Sequence, residues 1–423
     1  MKRLILTTLA SCALLGAMTG EASARPLVGV QGIAAAPGPN LDAAKSAGAN
    51  VTRVEADWSR LQPDGPGALD PGYLAELDQT VGAAASRGIK VVLFVVTTPC
   101  WASSAPAEVR GDCTGAARSS GEVTRYRPAD PTTAVPVEVA LAQRYASSLA
   151  AFQIWNEPDQ ANQNYWAGTD KVATYVQLVK VSYAPLKAAA PNVPVIAGSF
   201  VGGNGAWLKA MYAAGVKGSY DGLAVQFYAS TLEALQTTRA IQLANGDRTP
   251  LWLTEWGFNS CLRRQQAGAP TDQPCVSRAA QARGITDVLA TIRKRSWIKA
   301  AVLFELRDVN GGYQLGLFDA AGKAKPAFAA FRKYARGSKA RAKRPTIRLS
   351  VSGDHLVVSG TATTTEPLTV TISRRGTKSV KVPGIRANVG NRWKLSLPSG
   401  FGTSNLSVRA KGAWTGSSKV ARR

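Results

Sequence analysis

The 423-residue chain has one histidine, His355, and only 27 acidic residues against 51 lysines and arginines. That single histidine lies far along the chain, and the cysteines do not have zinc-ligand spacing. A zinc centre therefore has no ligand set, and no metal or other cofactor is expected. No stretch after the first 18 residues approaches the length of a membrane span, so none is expected. Internal repeats are missing, and so is low-complexity sequence outside one short basic linker. Nucleic acid is not an expected partner, because the basic surplus comes without the aromatic-interleaved motif of a known module. A monomer is expected.

Export is written into the N-terminus. Lys2 and Arg3 precede an apolar stretch from Leu4 to about Met18, and Ala22-Ser23-Ala24 fits a small-residue cleavage site. Residues 1–24 therefore read as a signal peptide, with a secreted or cell-wall-associated mature chain. Leu9-Ala10-Ser11-Cys12 offers a competing lipoprotein box, but it leaves an apolar region too short to precede cleavage. Cys100, Cys113, Cys261 and Cys275 remain after cleavage at residue 24. An even count in an exported chain suggests disulfides, with three connectivities open. Neighbour pairing, Cys100–Cys113 and Cys261–Cys275, is the expected one.

Between residues 25 and 335 short apolar runs alternate with helical patterns. The strand candidates are Leu27–Gly32, Asn50–Val54, Ile89–Val96, the run ending near Glu157, Val193–Ala197, Gly222–Tyr228, Leu251–Glu255 and Ala300–Leu306. Helical stretches such as Pro71–Arg87, Val137–Ala150, Tyr165–Ala189 and Ser277–Ser296 separate them. Eight strands alternating with helices predict an α/β fold, a (β/α)8 TIM barrel. A basic linker (336–344) follows. From 345 to 423 the periodicity changes to two, which predicts a small all-β sandwich. From Arg336 onward there are 18 Lys or Arg against two acids, a surplus of 16. That surplus suggests adhesion to an anionic wall or extracellular polymer.

Two of the apolar runs stop abruptly at a carboxylate: Phe152-Gln-Ile-Trp-Asn-Glu157-Pro158 and Leu251-Trp-Leu-Thr-Glu255-Trp-Gly257. The C-terminal ends of barrel strands are where such a fold keeps its chemistry. Two facing carboxylates suit glycosidic bond cleavage, one protonating the leaving oxygen and one attacking or activating water. Asn156-Glu157-Pro158 and Thr254-Glu255-Trp256-Gly257 resemble the two signatures of the clan A glycoside hydrolases, retaining (β/α)8 enzymes. Families 5 and 39 are nearest in appearance, and the resemblance spans roughly residues 27–334. It implies Glu157 as acid/base, Glu255 as nucleophile, and Asn156 as the partner of the sugar 2-hydroxyl. Arg53 resembles the clan's arginine that holds the nucleophile in its charged form, and Tyr228 is placed to hold it by a hydroxyl.

The chain departs from the pattern at two places. Gln226 stands where the family usually has histidine; it can bond a sugar hydroxyl but cannot titrate. Phe304 stands where a sugar-stacking tryptophan is common, and Glu305 beyond it is expected to pair with Arg307. Trp58, Trp101 and Trp256 are read as platforms for sugar faces. The function expected is a secreted hydrolase of O-glycosyl bonds in a β-linked polysaccharide or oligosaccharide, by a retaining double displacement. The alternative is a catalytically weak carbohydrate- or wall-binding protein on the same barrel.

Overall fold

The apolar runs form parallel strands because both of their faces are covered, one by helices and one by the lumen. The computed structural model describes residues 25–422 apart from 116–119, 161–163, 262–274, 311, 338–342, 354, 364–365, 375–376, 378, 389–390, 398–403 and 413–414. The expected signal peptide and the middle of the expected linker lie outside the described residues. Strands β1 (Leu27–Val30), β2 (Val51–Asp57), β3 (Lys90–Val96), β4 (Leu149–Ile154), β5 (Val195–Phe200), β6 (Gly222–Tyr228), β7 (Leu251–Gly257) and β8 (Ile298–Leu303) close into a barrel in that order. β1 pairs in parallel with both β2 and β8, which shuts the ring. Gly29 permits that closure, since a Cβ there would lie 1.6 Å from the Val51 carbonyl oxygen.

Helices fill the crossovers. α1 (Pro37–Ser46) follows β1, and the short α2 (Trp58–Leu61) and α3 (Pro71–Ser86) follow β2. The long segment after β3 contains α4 (Ala107–Arg110) and α5 (Gly121–Thr124) before α6 (Val135–Tyr145). α7 (Lys171–Ala189), α8 (Ala206–Ala213), α9 (Thr231–Ala244), α10 (Arg278–Ile292) and α11 (Pro326–Ala335) complete the ring. Cys100–Cys113 and Cys261–Cys275 are disulfide-bonded, with Cα atoms 5.6 and 5.2 Å apart, each tying a segment beyond a strand. Several boundaries differ from the sequence reading; α7, expected from Tyr165, begins at Lys171, and β8, expected at Ala300–Leu306, spans Ile298–Leu303. The helix expected to reach Ala150 stops at Tyr145, and β4 starts at Leu149. Neighbouring β3 claims that segment by pairing Val91 with Leu149. β4 in turn ends at Ile154, three residues short of Glu157.

The C-terminal strands are antiparallel. β9 (Arg348–Ser352), β10 (His355–Thr361) and β13 (Arg392–Leu397) form one sheet in the order β13-β10-β9. β11 (Leu368–Arg374), β12 (Val380–Ile385), β14 (Leu406–Gly412) and β15 (Gly416–Ser417) form the other in the order β12-β11-β14-β15, with β16 (Ala421–Arg422) also on β14. Leu356, Val358, Val370, Ile372, Trp393 and Val408 from both sheets share one core, a small β-sandwich. It touches the barrel where Lys343 N–H donates to buried Asp287 of α10 (3.0 Å) and Arg386 reaches Glu233 of α9 (2.5 Å). Among the described residues no helix is long and apolar enough to cross a membrane.

Candidate active site

Strand alternation decides which side chains enter the lumen. Val51, Val92, Ala151, Ile196, Ala224, Trp252 and Ala300 contribute one buried residue per strand to a cluster of their own. Two residues further along β2 comes Arg53, along β3 Phe94, along β4 Gln153 and along β6 Gln226. Glu255 lies three residues after Trp252, and simple alternation would turn it outward. A β-bulge corrects this: Val225 pairs with Leu253, but Gln226 pairs with Glu255, so Thr254 is skipped. A bulge re-aims every side chain beyond it. Glu157 is aimed differently. Trp155 (φ 63°) and Glu157 (φ 43°) are left-handed, and Glu157 N–H donates to the Ser199 carbonyl at 3.1 Å. The Trp155 ring joins the core while Asn156 and Glu157 line the cavity.

Arg53 is the hub. Its Nε donates to Gln153 Oε1 (3.2 Å), Nη1 to Glu255 Oε1 (2.5 Å) and Gln31 Oε1 (3.3 Å), and Nη2 to Asn156 Oδ1 (2.7 Å) and Ser199 Oγ (3.4 Å). The guanidinium lies 3.7 Å over the centre of the Phe94 ring. Tyr228 Oη donates to the other oxygen of Glu255 at 2.5 Å, and burial, then the charge of that carboxylate, hold the phenol in its neutral form. Asn156 Oδ1 also accepts from Ser199 Oγ (2.9 Å) and Gln226 Nε2 (2.9 Å). Three donors on one oxygen fix the amide, and its Nδ2 makes no hydrogen bond among the described residues.

Glu157 is 7% exposed, and among the described residues no cation is bonded to it. Burial, then the nearby Glu255 charge, push its pKa up to about 8, and Arg53 pulls only partly the other way. Gln160 Nε2 donates to Glu157 Oε2, and Asp159 accepts the amides of Val201 and Gly202 at 2.8–3.0 Å, anchoring the turn that carries Glu157. A cavity of 740 Å³ opens onto Glu157, Glu255, Asn156 and Tyr228. Of the carboxyls that line it, Glu157 is the one pushed toward its protonated form, while Glu255 is gripped by a cation and a phenol.

Residues 135–331 match the family model of the glycosyl hydrolase catalytic core. The match runs from α6 into α11. The barrel's fold is that of solved glycosidases. A family 39 glycoside hydrolase from Bacteroides cellulosilyticus WH2 superposes with a TM-score of 0.56 at 16% identity, covering 91% of this chain and 80% of that one. A monomeric β-xylosidase from Caulobacter crescentus CB15 gives 0.53 at 14% identity, over 88% and 97%. A family 30 subfamily 8 xylanase from Clostridium acetobutylicum gives 0.52 at 14% identity, over 92% and 96%. At such identities the likeness is one of fold. No curated protein matches the sequence.

Arg53, Asn156, Tyr228 and Gln226 meet around the two glutamates. The tryptophans do not. Trp58 and Trp256 are fully buried, and Trp101 is half-buried with its N–H on the Gln62 carbonyl (2.7 Å) and its ring edge-on to Trp58 at 5.8 Å. None of the three lines the cavity, so none is a sugar platform in this structure; their large apolar area is used in packing. The aromatic walls are instead Tyr165, Phe227, Phe304 and Tyr313. Glu305 does not pair with Arg307, whose Nε donates to Asn40 (3.2 Å). Burial, and then the charges of Asp308 and Glu255, push Glu305 up to about 7. Gln31, Gln153, Gln160 and Ser199 bond Arg53 or Glu157, and the sequence reading missed them. Gln153 alone left a trace, as a lone amide in an apolar strand.

Proposed function

We infer that this chain is a secreted glycosidase that hydrolyses β-linked O-glycosidic bonds of a polysaccharide or oligosaccharide with retention of configuration. The observation that carries the reading is the unequal pair: Glu157 proton-laden near neutrality, and Glu255 held by Arg53 and Tyr228 in the same cavity. Glu157 gives its proton to the leaving oxygen as a Glu255 oxygen attacks the anomeric carbon. Loss of the Glu255 charge in the glycosyl-enzyme then frees Glu157, now ionised, to take a proton from the attacking water. The fixed Oδ1 of Asn156 leaves Nδ2 to bond the sugar 2-hydroxyl, a contact that tightens in the transition state. The fold neighbours named β-xylosidase and xylanase support a β-linked substrate.

The N-terminal export signal and the two disulfides support secretion. The surplus of cations beyond Arg336 supports attachment to an anionic polymer, which salt would release. Hydrolysis of an aryl β-glycoside is the test. Glu255→Ala is expected to abolish it, and azide to restore turnover with inverted product; undiminished activity in that variant would overturn the assignment. NMR of the first-formed anomer reports retention.

A further inference from the structure

Glu55 takes no part in this chemistry, yet it stands in the cleft. It follows Arg53 by two residues on β2 and so points into the lumen on the same face. It lines the 740 Å³ cavity beside both catalytic candidates. With Gln31 and Arg53 it also lines a second cavity of 710 Å³, walled by Ile33, Tyr73 and Thr80. Glu55 therefore borders both depressions, one of which also holds Glu157 and Glu255.

Glu305, near Gly32 in the second cavity, has no side-chain hydrogen bond or ion pair among the described residues, but the other acids around Glu55 are engaged. Asp57 accepts from Ser59, Arg60 and Thr97; Glu76 pairs with Arg60 at 2.9 Å; Glu255 is held by Arg53 and Tyr228. Glu55 has no hydrogen bond or ion pair among the described residues. Its side chain is open to solvent within the cleft; the enclosing walls push its carboxyl up, Arg53 pulls it down, and Asp57 and Glu255 add to the rise. Gln226 Oε1, in a side chain 1% exposed, is a second acceptor of this cleft without a partner. The cations tell the opposite story. Arg53 is the single Lys or Arg of the first cavity, and all five of its N–H groups are already given to protein acceptors. Arg60, in the second, is bound to Glu76 and stacked 4.0 Å over Tyr73. Thus a protein of net charge +24 presents its substrate with a free anion and no free cation among the described residues.

We propose that Glu55 is a specificity residue that binds the protonated amine of an amino sugar, so that the polymer cleaved here carries free amino groups beside the scissile bond. This rests on the glycosidase reading above. An ammonium has N–H donors and no acceptor, which matches a wall of unpaired acceptors. A uronic acid would meet like charge at Glu55, and an N-acetyl group would bring no charge to it.

The test uses the full chain with Glu255→Gln, so that ligands persist. Matched β-linked tetrasaccharides in the gluco and galacto series, as neutral, N-acetylated and free-amine forms, are titrated by calorimetry at pH 6. In at least one series the free-amine form is expected to bind about tenfold more tightly than its partners, less so at high salt. Adding Glu55→Gln, or Glu55→Ala if that variant fails to melt cooperatively, should erase the difference. No amine preference in either series, or a preference that survives both substitutions, overturns the proposal. Aryl β-glycoside hydrolysis by the unmodified chain separates the two readings. Turnover without amine preference removes the role of Glu55 alone. Absence of any turnover removes the glycosidase reading and leaves amine binding to decide Glu55.

Discussion

Arg53 Nη1 and Glu255 Oε1 are 202 residues apart in sequence and 2.5 Å apart in space. The arginine side chain is fully buried, and its other donors hold Asn156, Gln153, Gln31 and Ser199. Removing a buried cation strands the carboxylate it served, a loss of roughly 3–5 kcal/mol. Arg53→Met is therefore expected to lower stability by about that much in urea unfolding, and to abolish turnover. Arg53→Lys offers three donors in place of a five-pronged fork and should recover only part of either. A Met variant with unchanged midpoint and rate would show the network to be incidental.

Glu157 must be protonated to act as an acid, and its pKa lies near 8. The rate of the first chemical step should therefore fall as pH rises through about 8, the basic limb of the kcat/KM profile. Glu157→Ala should cost roughly 10²–10⁴-fold on a glycoside with a poor leaving group. A dinitrophenyl glycoside, whose leaving oxygen needs no proton, should lose far less in kcat/KM. Equal losses on both substrates would deny Glu157 the acid role.

Glu138 of α6 is fully buried opposite Ser182 of α7, and burial raises it to about 8. The folded state keeps a proton that the unfolded chain releases above the ordinary value of 4.5. Stability from this group is thus complete below that value and declines until pH 8, at no more than about 1.4 kcal/mol per pH unit. Thermal melts between pH 5 and 8 should show the decline, and Glu138→Gln should flatten it. An unchanged slope in the variant would place the charge elsewhere.

The aromatic residues divide by location. Tyr165 borders the cavity, so Tyr165→Ala should raise KM with little change in melting temperature. Trp256 is fully enclosed, and Trp256→Ala should cost about 3–5 kcal/mol of stability. Calorimetric unfolding alongside steady-state kinetics separates the two effects; a stable Trp256→Ala protein with only a KM defect would reverse this assignment.

Read from the chain alone, the barrel was visible in the alternation of apolar runs and helical stretches, and the proposed chemistry rests on two carboxylates that end such runs. Buried parallel strands need continuous apolar sequence, and that requirement is local, so it leaves a local trace. The change to a period of two beyond residue 345 likewise revealed the sandwich. Orientation was not written there. Glu255 faces the lumen because a bulge at Thr254 shifts β7 against β6, and Glu157 because two left-handed residues turn the chain beyond β4. Nor could sequence distinguish a tryptophan beside sugar from one inside the core, since both are large apolar groups near strand ends. The sequence by itself determined the element order and the stock of reactive groups. Tertiary structure alone decided their partners and their charge, because burial and proximity across a closed sheet depend on residues hundreds of positions away.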